Sequence, residues 1–399
     1  MAGIGRLTGT VKNYDWGGTR FIPKLLGEKQ ESSTPEAEFW LGVHPQADCT
    51  VSGPDIEPVL LRDYVAQDPV ARLGAKVNAD FGNVPYLLKA LDVKNMLSIQ
   101  VHPNKKAAVI DFEKEEATGL PLSDPKRNYK DRNHKPELMV AMGEFWLLHG
   151  FKPEDKLRAT LDSVSELNFL APVFAEGSYK GVYAYVMELP QEEVSARLRV
   201  LLDRIIPLYK AGKLEKSSED FWAARAALTF SETDRGIFSV YLFNVVRTDK
   251  GQAVFQDAGI PHAYLEGWNV EIMASSDNVL RGGLTNKHVD VPELLKHVVC
   301  EPTEPELLSG VRKGKEIIYK TPAPDFELSG FELEAGDEVK INPVTTEVFL
   351  LIDGEAELVA GNASVKLHAG EPSGVIFPGQ EVTLRASGKS LIYKASVPA

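Results

Sequence analysis

The sequence predicts a mainly β protein that is interrupted near its middle by a block of helices and ends in a small β barrel or sandwich. Two observations predict this organisation. Short apolar runs bounded by glycine and proline dominate the first 110 residues and the part after about residue 301, whereas helical periodicity appears between them. With 399 residues, the chain is long enough for two or three domains.

The first β region is predicted from runs of Val, Leu, Phe and Tyr that are typical of strands. The clearest runs cover residues 86–91, 96–101 and 238–246. Because the last of these follows the helical block, we expect that block to be inserted into one β domain. We therefore assign residues 1–150 plus 231–300 to the first domain.

The helical block is predicted to cover residues 151–230. After Pro190 and an acidic first turn, apolar residues recur at the spacing of an amphipathic helix. They are Val194, Leu198, Leu201 and Ile205. A second helix is predicted from Ser217, which we expect to cap it, with Asp220 three residues later in an arrangement similar to a capping box.

The last part of the chain, residues 301–399, is predicted to form a separate β domain. Prolines mark a linker at its start, and short strands broken by Gly and Pro follow. The prolines are Pro302, Pro305, Pro322 and Pro324.

Charge and composition exclude several classes of function. With 57 acidic and 44 basic side chains, the formal charge is −13, and no dense Lys/Arg stripe could bind nucleic acid. No apolar stretch approaches the roughly 18–20 residues that span a bilayer, and the first residues do not resemble a signal peptide. Two cysteines without CxxC spacing, Cys49 and Cys300, favour a reducing, cytoplasmic setting.

Three polar segments within strand-like surroundings could form a metal site. In LSIQVHPNKK, Gln100 and His102 are two apart and would address the same face of a strand. Glu137 follows Pro136 in NYKDRNHKPELM, and His262 follows a turn in DAGIPHAY. Two imidazoles, a carboxylate and an amide oxygen suit a divalent metal such as zinc. The alternative is that the histidines are hydrogen-bonded barrel residues and the glutamate is a surface charge.

A fourth segment, NVEIMASSDNVLRGGLTNK, concentrates charged side chains among small residues, which would let them crowd a cleft. These side chains are Glu271, Asp277, Arg281 and Lys287. The alternative is a solvated loop. On the residues alone, Lys89 and Ser98 could contact an anion, but isolated Lys and Ser side chains are usually solvent-facing or structural. Trp16, beside a Gly turn, is more commonly a buried aromatic.

Six segments, in this order, resemble those of type I phosphomannose isomerases. They are NYDWGG, EFWLGVHP, LSIQVHPNKK, NYKDRNHKPELM, DAGIPHAY and RGGLTNK. The resemblance implies a cupin-like β-barrel catalytic domain, interrupted by the helical domain and followed by a second, C-terminal cupin-like barrel. It also implies one zinc ion per chain, bound by Gln100, His102, Glu137 and His262. The second barrel has only His368, so we expect it to be metal-free and structural.

The family's reaction is the interconversion of mannose 6-phosphate and fructose 6-phosphate, so the expected partner is a small-molecule sugar phosphate. We expect a monomer, and a weak homo-oligomer is left open. A base must move a proton between two carbons through an enediolate, whose charge Arg281 and Lys135 could hold. Glu271 is one candidate base, and Asp277, His134 and Lys135 are its rivals. The resemblance places six further residues in the pocket, with Ser98 and Lys89 at the phosphate. They are Trp16, Glu38, Lys89, Ser98, Tyr264 and Lys287.

Two other functions remain open on the residues. His102, His262 and Glu137 alone would satisfy the two-His-one-carboxylate iron site of a cupin oxygenase, although Gln100 and the nearby cations argue against it. A non-catalytic sugar-binding protein could keep the same scaffold, since a fold does not determine function. The apparently complete ligand set argues against that second reading.

Overall fold

The computed structural model describes residues 3–231 and 233–398, and the chain is mainly β with helices, as predicted. The strands of the first part of the chain are β1 (Ile4–Thr8), β2 (Thr10–Lys12), β3 (Glu38–Gly42), β4 (Thr50–Gly53), β5 (Ile56–Leu60), β6 (Tyr86–Val93), β7 (Gln100–Val101), β8 (Glu137–Ala141), β9 (Phe145–Phe151), β10 (Phe243–Thr248), β11 (Ala253–Gln256), β12 (His262–Ala274) and β13 (Leu280–Arg281). Those of the last part are β14 (Val311–Lys313), β15 (Glu316–Tyr319), β16 (Glu327–Leu333), β17 (Glu338–Ile341), β18 (Glu347–Asp353), β19 (Ala356–Ala360), β20 (Ala363–Leu367), β21 (Ser373–Ile376), β22 (Val382–Ala386) and β23 (Ser390–Ser396).

The helices are concentrated between β9 and β10, with shorter ones among the first strands. They are α1 (Phe21–Leu25), α2 (Leu61–Gln67), α3 (Pro69–Leu73), α4 (Ala75–Asp80), α5 (Lys105–Ala117), α6 (Glu154–Ser163), α7 (Leu170–Glu188), α8 (Gln191–Lys210), α9 (Glu219–Thr229), α10 (Gly236–Leu242) and α11 (Val291–His297). Among the described residues, none of these helices is long and apolar enough to cross a membrane.

Strand β12 organises the first sheet because it pairs with four other strands. Its first residues pair with β9 and β7, and its later residues pair with β6 and β8. Gly267 lies where the pairing changes, with a φ of 130°, and a Cβ there would lie 2.6 Å from the Phe145 ring. Glycine is therefore required at this position. The exchange of partners brings the side chains of several strands toward one region.

A nine-stranded sheet joins the two ends of the chain. Its order is β14-β15-β16-β23-β18-β21-β1-β4-β5, so that three strands from the first 60 residues extend a sheet of the last 90. The register pairs Ile4 with Ile376 and Arg6 with Gly374. Opposite it, a four-stranded sheet, β17-β22-β19-β20, encloses an apolar core with Phe331, Phe349 and Ile392.

The helical block largely follows the predicted pattern. Helix α8 buries Val194, Leu198, Leu201 and Ile205, which confirms the amphipathic periodicity. The second helix is also present as α9, but its N-cap is Ser218, whose side chain accepts a hydrogen bond from the Asp220 backbone. The prediction of a Ser217 cap was therefore wrong by one residue.

Two predicted strands are only partly present. In the run 238–246, residues up to Leu242 belong to α10 and only Phe243 onwards is strand. The prediction failed here because every residue of α10 is buried, and a short apolar run does not distinguish a helix from a strand. In the run 96–101, only Gln100 and Val101 form a strand, whereas 86–91 lies within β6 as predicted.

Candidate active site

His102, Glu137 and His262 meet in the interior of the first sheet, although they lie far apart in the sequence. The Nε2 atom of His102 lies 3.4 Å from Glu137 Oε1, and the Nε2 atom of His262 lies 3.2 Å from Glu137 Oε2. All three side chains are buried, with Glu137 only 4% exposed. The interpretation of Glu137 as a surface charge is therefore wrong.

The histidines are held in the form that can bind a metal. The Nδ1 atom of His102 lies 2.8 Å from the Asn278 carbonyl, and that of His262 lies 3.0 Å from the Ile260 carbonyl. Donation of the Nδ1 protons to these carbonyls leaves Nε2 with a free lone pair. Both Nε2 atoms are buried and lack a hydrogen-bond partner. Burial also lowers the pKa of His102 to about 4, which keeps its ring neutral at pH 7. Two orphaned nitrogens beside one carboxylate fit zinc.

Lys135 lies beside this group and extends it toward a cavity. Its Nζ is 2.8 Å from Glu137 Oε1. Although burial raises the pKa of Glu137, the charge of Lys135 lowers it well below the usual range. The carboxylate is therefore ionised, as a metal ligand must be.

A second group of possible ligands, Asp111, Glu293 and His297, has a different character. Lys114 and Lys296 lie 2.7 Å and 2.6 Å from the Asp111 carboxylate, and the Tyr129 hydroxyl donates to Glu293. Because its charges and hydrogen bonds are already satisfied, this group is a structural link between α5 and α11 rather than a metal site.

A buried ionic network lies next to the first group. Lys89 Nζ is 3.0 Å from Glu271 Oε1 and 3.4 Å from Glu38 Oε2, and the Tyr264 hydroxyl donates to Glu271 Oε2 at 2.8 Å. Register explains the contact, since Glu271 on β12 pairs directly with Lys89 on β6. Burial raises the pKa of Glu271, which Lys89 counteracts. For Lys89, burial lowers the pKa, but the surrounding carboxylates raise it overall.

An open cavity of about 690 Å³ lies next to both groups, because Lys135, which contacts Glu137, and Lys89 of the ionic network line it. Its lining includes most of the predicted site residues, together with several cations. The predicted residues in the lining are Trp16, Glu38, Lys89, Ser98, Gln100, Lys135, Asp277, Arg281 and Lys287. Gln100 lines the cavity and is paired in register with both His262 and Arg281, so its strand position connects the metal group with the cavity wall.

The charges in this cavity are unequally paired. Lys89 and Lys135 each contact a carboxylate, whereas Arg281 and Lys287 have no acidic partner within 4.0 Å among residues 3–231 and 233–398. Asp277 is held by His44, 3.4 Å away, and by Gln46, and although burial raises its pKa, the His44 contact lowers it overall. The cavity therefore offers free positive charge to an anionic ligand.

Comparison with known proteins agrees with this arrangement. A family model described as phosphomannose isomerase type I, catalytic domain, matches residues 4–154. A mannose-6-phosphate isomerase from Shigella flexneri is 35% identical over 391 residues, which cover 96% of this chain and 97% of the relative. The chain belongs to the type I phosphomannose isomerase family.

Solved structures of this family have the same fold. A mutant of phosphomannose isomerase from Salmonella typhimurium superposes with a TM-score of 0.90 at 32% identity, and the match covers 100% of both chains. A holo, zinc-bound mannose 6-phosphate isomerase superposes with a TM-score of 0.88 at 33% identity, again over 100% of both.

For this phosphomannose isomerase family member, six predicted site residues are absent from the described cavity lining: the metal group His102, Glu137 and His262, together with Tyr264, Glu271 and His134. Tyr264 and Glu271 are buried behind Lys89. His134 is not part of the described cavity lining, and its Nε2 lies 2.7 Å from Asp325, in the segment that precedes β16. The His134 ring is therefore engaged by Asp325, whereas Glu271, which is also outside the lining, contacts Lys89 on the cavity wall.

Sequence reasoning also missed residues that line the cavity. Trp40 and His44 lie in the cavity lining and support Glu38 and Asp277 respectively. Both stand in the EFWLGVHP segment, so the signal lies within a motif that carries the family resemblance. Lys130 also lines the cavity, with its ammonium donating to the carbonyls of Leu122 and Asp124. Nothing in the sequence distinguishes this lysine from a solvated one.

Proposed function

We propose that the chain is a mannose-6-phosphate isomerase, which reversibly interconverts mannose 6-phosphate and fructose 6-phosphate by metal-assisted proton transfer through a cis-enediolate. The observation that carries this proposal is the pair of orphaned Nε2 atoms on His102 and His262, which face one carboxylate beside a cavity with free cations. Membership of the family and the zinc-bound relative support the same function.

Zinc is the proposed cofactor, with one ion per chain. His102, Glu137 and His262 would hold it, and Gln100 is the proposed fourth protein ligand because its strand position is adjacent to His262. When bound, zinc supplies a Lewis acid that polarises the substrate's oxygens and a template that orients them. The carbonyl contacts at Asn278 and Ile260 would fix the two ligand rings.

Glu271 is the proposed base. Its raised pKa makes it a better proton acceptor near neutral pH than Asp277, whose pKa is lowered. The hydroxyl of Tyr264 and the ammonium of Lys89 fix the orientation of its two oxygens. In this proposal the carboxyl group removes the proton from the second carbon of the open-chain aldose and returns it to the first.

Arg281 and Lys135 are proposed to stabilise the negative charge of the enediolate, since both line the cavity next to the metal group. Lys287 and Ser98 are proposed to bind the phosphate. Lys89, which the resemblance also placed at the phosphate, already contacts two carboxylates, so its charge is largely compensated.

Several features of the whole protein belong to the same proposal. We infer a cupin-like arrangement of both β regions, with domains at 1–150 plus 231–300, 151–230 and 301–399. We also infer a monomeric, cytoplasmic enzyme whose partner is a sugar phosphate. Because β1 pairs with β21, the first and third of these inferred domains would share one sheet, and we expect them to unfold together.

The deciding experiment is a coupled assay for fructose 6-phosphate formed from mannose 6-phosphate. Protein stripped with a chelator should be inactive and should regain turnover when zinc is restored. Absence of turnover in folded, verified zinc-loaded protein would contradict the proposal. Oxygen consumption by the iron-loaded protein would then favour the oxygenase, and tight sugar-phosphate binding without turnover would favour the binding protein.

Arg281→Ala provides a second test of the mechanism. Loss of a group that holds developing charge should lower kcat by about 100- to 1,000-fold while zinc content stays at one per chain. Arg312→Ala, at an exposed position on β14, is the matched control and should retain wild-type turnover. Wild-type turnover in the Arg281 variant would remove this residue from the mechanism.

A further inference from the structure

The loop that carries Arg281 and Lys287 borders two cavities. Residues Thr285, Asn286 and Lys287 line the candidate active-site cavity. The same three residues also line a second cavity, of about 460 Å³. A segment that borders so much open space needs an anchor if its cations are to keep a fixed position.

One side of the loop is anchored by the sheet. Arg281 pairs with Gln100 in β13 and β7, and backbone hydrogen bonds join Ile99 to Gly282 and Gly283 at 2.8 Å and 3.0 Å. These bonds end at Gly283, before the segment that bears Lys287. The sheet therefore does not hold the second half of the loop.

The second half is held by Asp234, in the turn before α10. Its Oδ1 accepts hydrogen bonds from the backbone N–H groups of Gly236, at 2.7 Å, and Leu284, at 2.9 Å. Its Oδ2 accepts from the N–H of Thr285 at 3.0 Å. No Lys, Arg or His lies within 4.0 Å of this carboxylate in the described part of the chain, so its charge is stabilised by these three amides.

The backbone at this contact is unusually constrained. Leu284 is fully buried and has a φ of 52°, a conformation that a leucine adopts only when its surroundings impose it. Gly236 and Gly283 touch, since a Cβ on Gly283 would lie 2.6 Å from Gly236 Cα. The N–H of Lys287 then bonds Thr285 Oγ1 at 3.1 Å, which carries the constraint forward to the cation.

We propose that Asp234 is a positioning residue for the isomerase reaction: it fastens the second half of the Arg281–Lys287 loop to the turn before α10 and so fixes Lys287 at the cavity. The proposal rests on the proposed function for its catalytic consequence, whereas the fastening itself does not. The turn before α10 thereby gains a role in the site, although it supplies no proposed metal ligand.

The first experiment measures the fastening by hydrogen–deuterium exchange of the zinc-loaded protein. Asp234→Ala should raise the exchange rate of peptides covering 281–287 at least tenfold. Asp68→Ala is the matched control, because Asp68 caps α3 through the N–H of Ala71 and lies outside the cavity lining. It should leave exchange at 281–287 unchanged. Unchanged exchange in Asp234→Ala would overturn the proposal whatever the activity of the protein.

The second experiment measures coupling to Lys287. Asp234→Ala should lower kcat/KM about 10- to 100-fold with zinc content unchanged, and Asp234→Asn, which retains Oδ1, should lower it less. In a Lys287→Ala background the same substitution should cost less than about threefold, because the cation that Asp234 positions is gone. Additive losses would overturn the positioning role. Absence of isomerase activity in the wild type would instead defeat the proposed function, and the exchange experiment would still decide the fastening.

Discussion

At the scale of single residues, the site depends on which nitrogen and which oxygen of each side chain are already occupied. His102 and His262 use Nδ1 for backbone carbonyls and leave Nε2 free. His297, in the second group of possible ligands, instead uses Nε2 with Tyr129 and Glu293. The same residue types thus offer free ligand atoms that could hold a metal ion in one place and form a closed hydrogen-bond network in the other.

The acidic limb of the pH–rate profile tests Glu271 and Lys89 together. Lys89 lowers the pKa of Glu271, so Lys89→Met should raise that pKa further, and a base must lose its proton to act. The acidic limb of kcat/KM should therefore move to higher pH in the variant. Glu271→Gln should lower kcat by about 100- to 10,000-fold.

The control for this prediction is Lys366→Met, which removes an equal charge from the exposed face of β20 and should not move the limb. A limb that stays in place in Lys89→Met, or moves to lower pH, would be evidence against Glu271 as the base. Retention of wild-type turnover in Glu271→Gln would shift attention to Asp277, which lies on the cavity wall.

Residue chemistry alone predicts part of this site. The side chains of His102, Glu137 and His262 have the right types, and the structure brings them together. The motif that carries His134 contains no sign that this ring faces Asp325, since that contact joins residues 191 positions apart. Similarly, only the fold reveals that Asp234 reaches the loop at Leu284.

At the scale of elements, the periodic apolar residues of helix α8 stabilise the fold because they are buried. Leu201 is fully buried in the core of the helical block, whereas its neighbour Val200 is 61% exposed. Leu201→Ala should lower the free energy of unfolding by about 2–5 kcal/mol, because it removes buried methyl groups and leaves a cavity. Urea denaturation at constant pH and zinc concentration measures this change.

Val200→Ala is the matched control for that substitution and should change the free energy of unfolding by less than about 0.5 kcal/mol. Equal losses in the two variants would contradict the assignment of the buried face. Turnover at temperatures where both variants are folded should match wild type, since neither residue lines the described cavity.

The junction between β12 and the helical block gives a pH-dependent prediction. Glu266 on β12 contacts Arg225 of α9 and Lys216, the latter at 2.5 Å. Burial raises the pKa of Glu266, but these cations lower it overall. A carboxylate with a lowered folded-state pKa adds stability above its unfolded pKa and loses it as the pH falls through the folded value.

Glu266→Gln should therefore lower the free energy of unfolding by about 1 kcal/mol at pH 7, after allowance for its partial exposure. The difference from wild type should shrink as the pH falls below about 4.5, near the ordinary pKa of glutamate. Glu154→Gln, in an exposed pair with Arg158, should show almost no difference at either pH. A difference that grows toward acid would have the wrong sign for this ion pair.

Whether the sequence predicts an element depends on the length of that element and on how much of it is buried. Helix α8 is long and amphipathic, so its period identifies it without tertiary information. The seven buried residues of α10 form an apolar run that is also compatible with a strand, and packing decides the outcome. The short helices α2, α3 and α4, which follow β5, have no comparable period and lie within a region whose composition predicts strands.

At the scale of the whole molecule, the two ends of the chain depend on each other. β1 pairs with β21, and one apolar core combines Leu7 and Phe39 with Val348 and Tyr393. Strand patterning predicted β structure at both ends, but pairing between residues more than 300 positions apart leaves no local signal in one sequence. We therefore expect a metal bound at the first sheet to stabilise the nine-stranded sheet as well, so that the two sheets unfold in one cooperative transition.

Zinc-dependent stability tests this expectation on the intact chain. The proposed ligands come from three separate segments, at β7 and directly after it and at the starts of β8 and β12, so the site exists only when the sheet is folded. An ion that binds only the folded state stabilises it. At free zinc about 100-fold above its dissociation constant, the free energy of unfolding should rise by about 2.7 kcal/mol over the chelator-stripped protein. Tryptophan fluorescence and circular dichroism should report one coincident urea transition, and zinc should shift its midpoint equally for both signals.

His262→Ala should lose most bound zinc and, with it, this zinc-dependent increase in the free energy of unfolding. His368→Ala, at an exposed position after β20, should keep both the zinc and the increase. If the His262 variant is stabilised by zinc as much as wild type, the ion binds elsewhere, and Asp111, Glu293 and His297 become the residues to replace next.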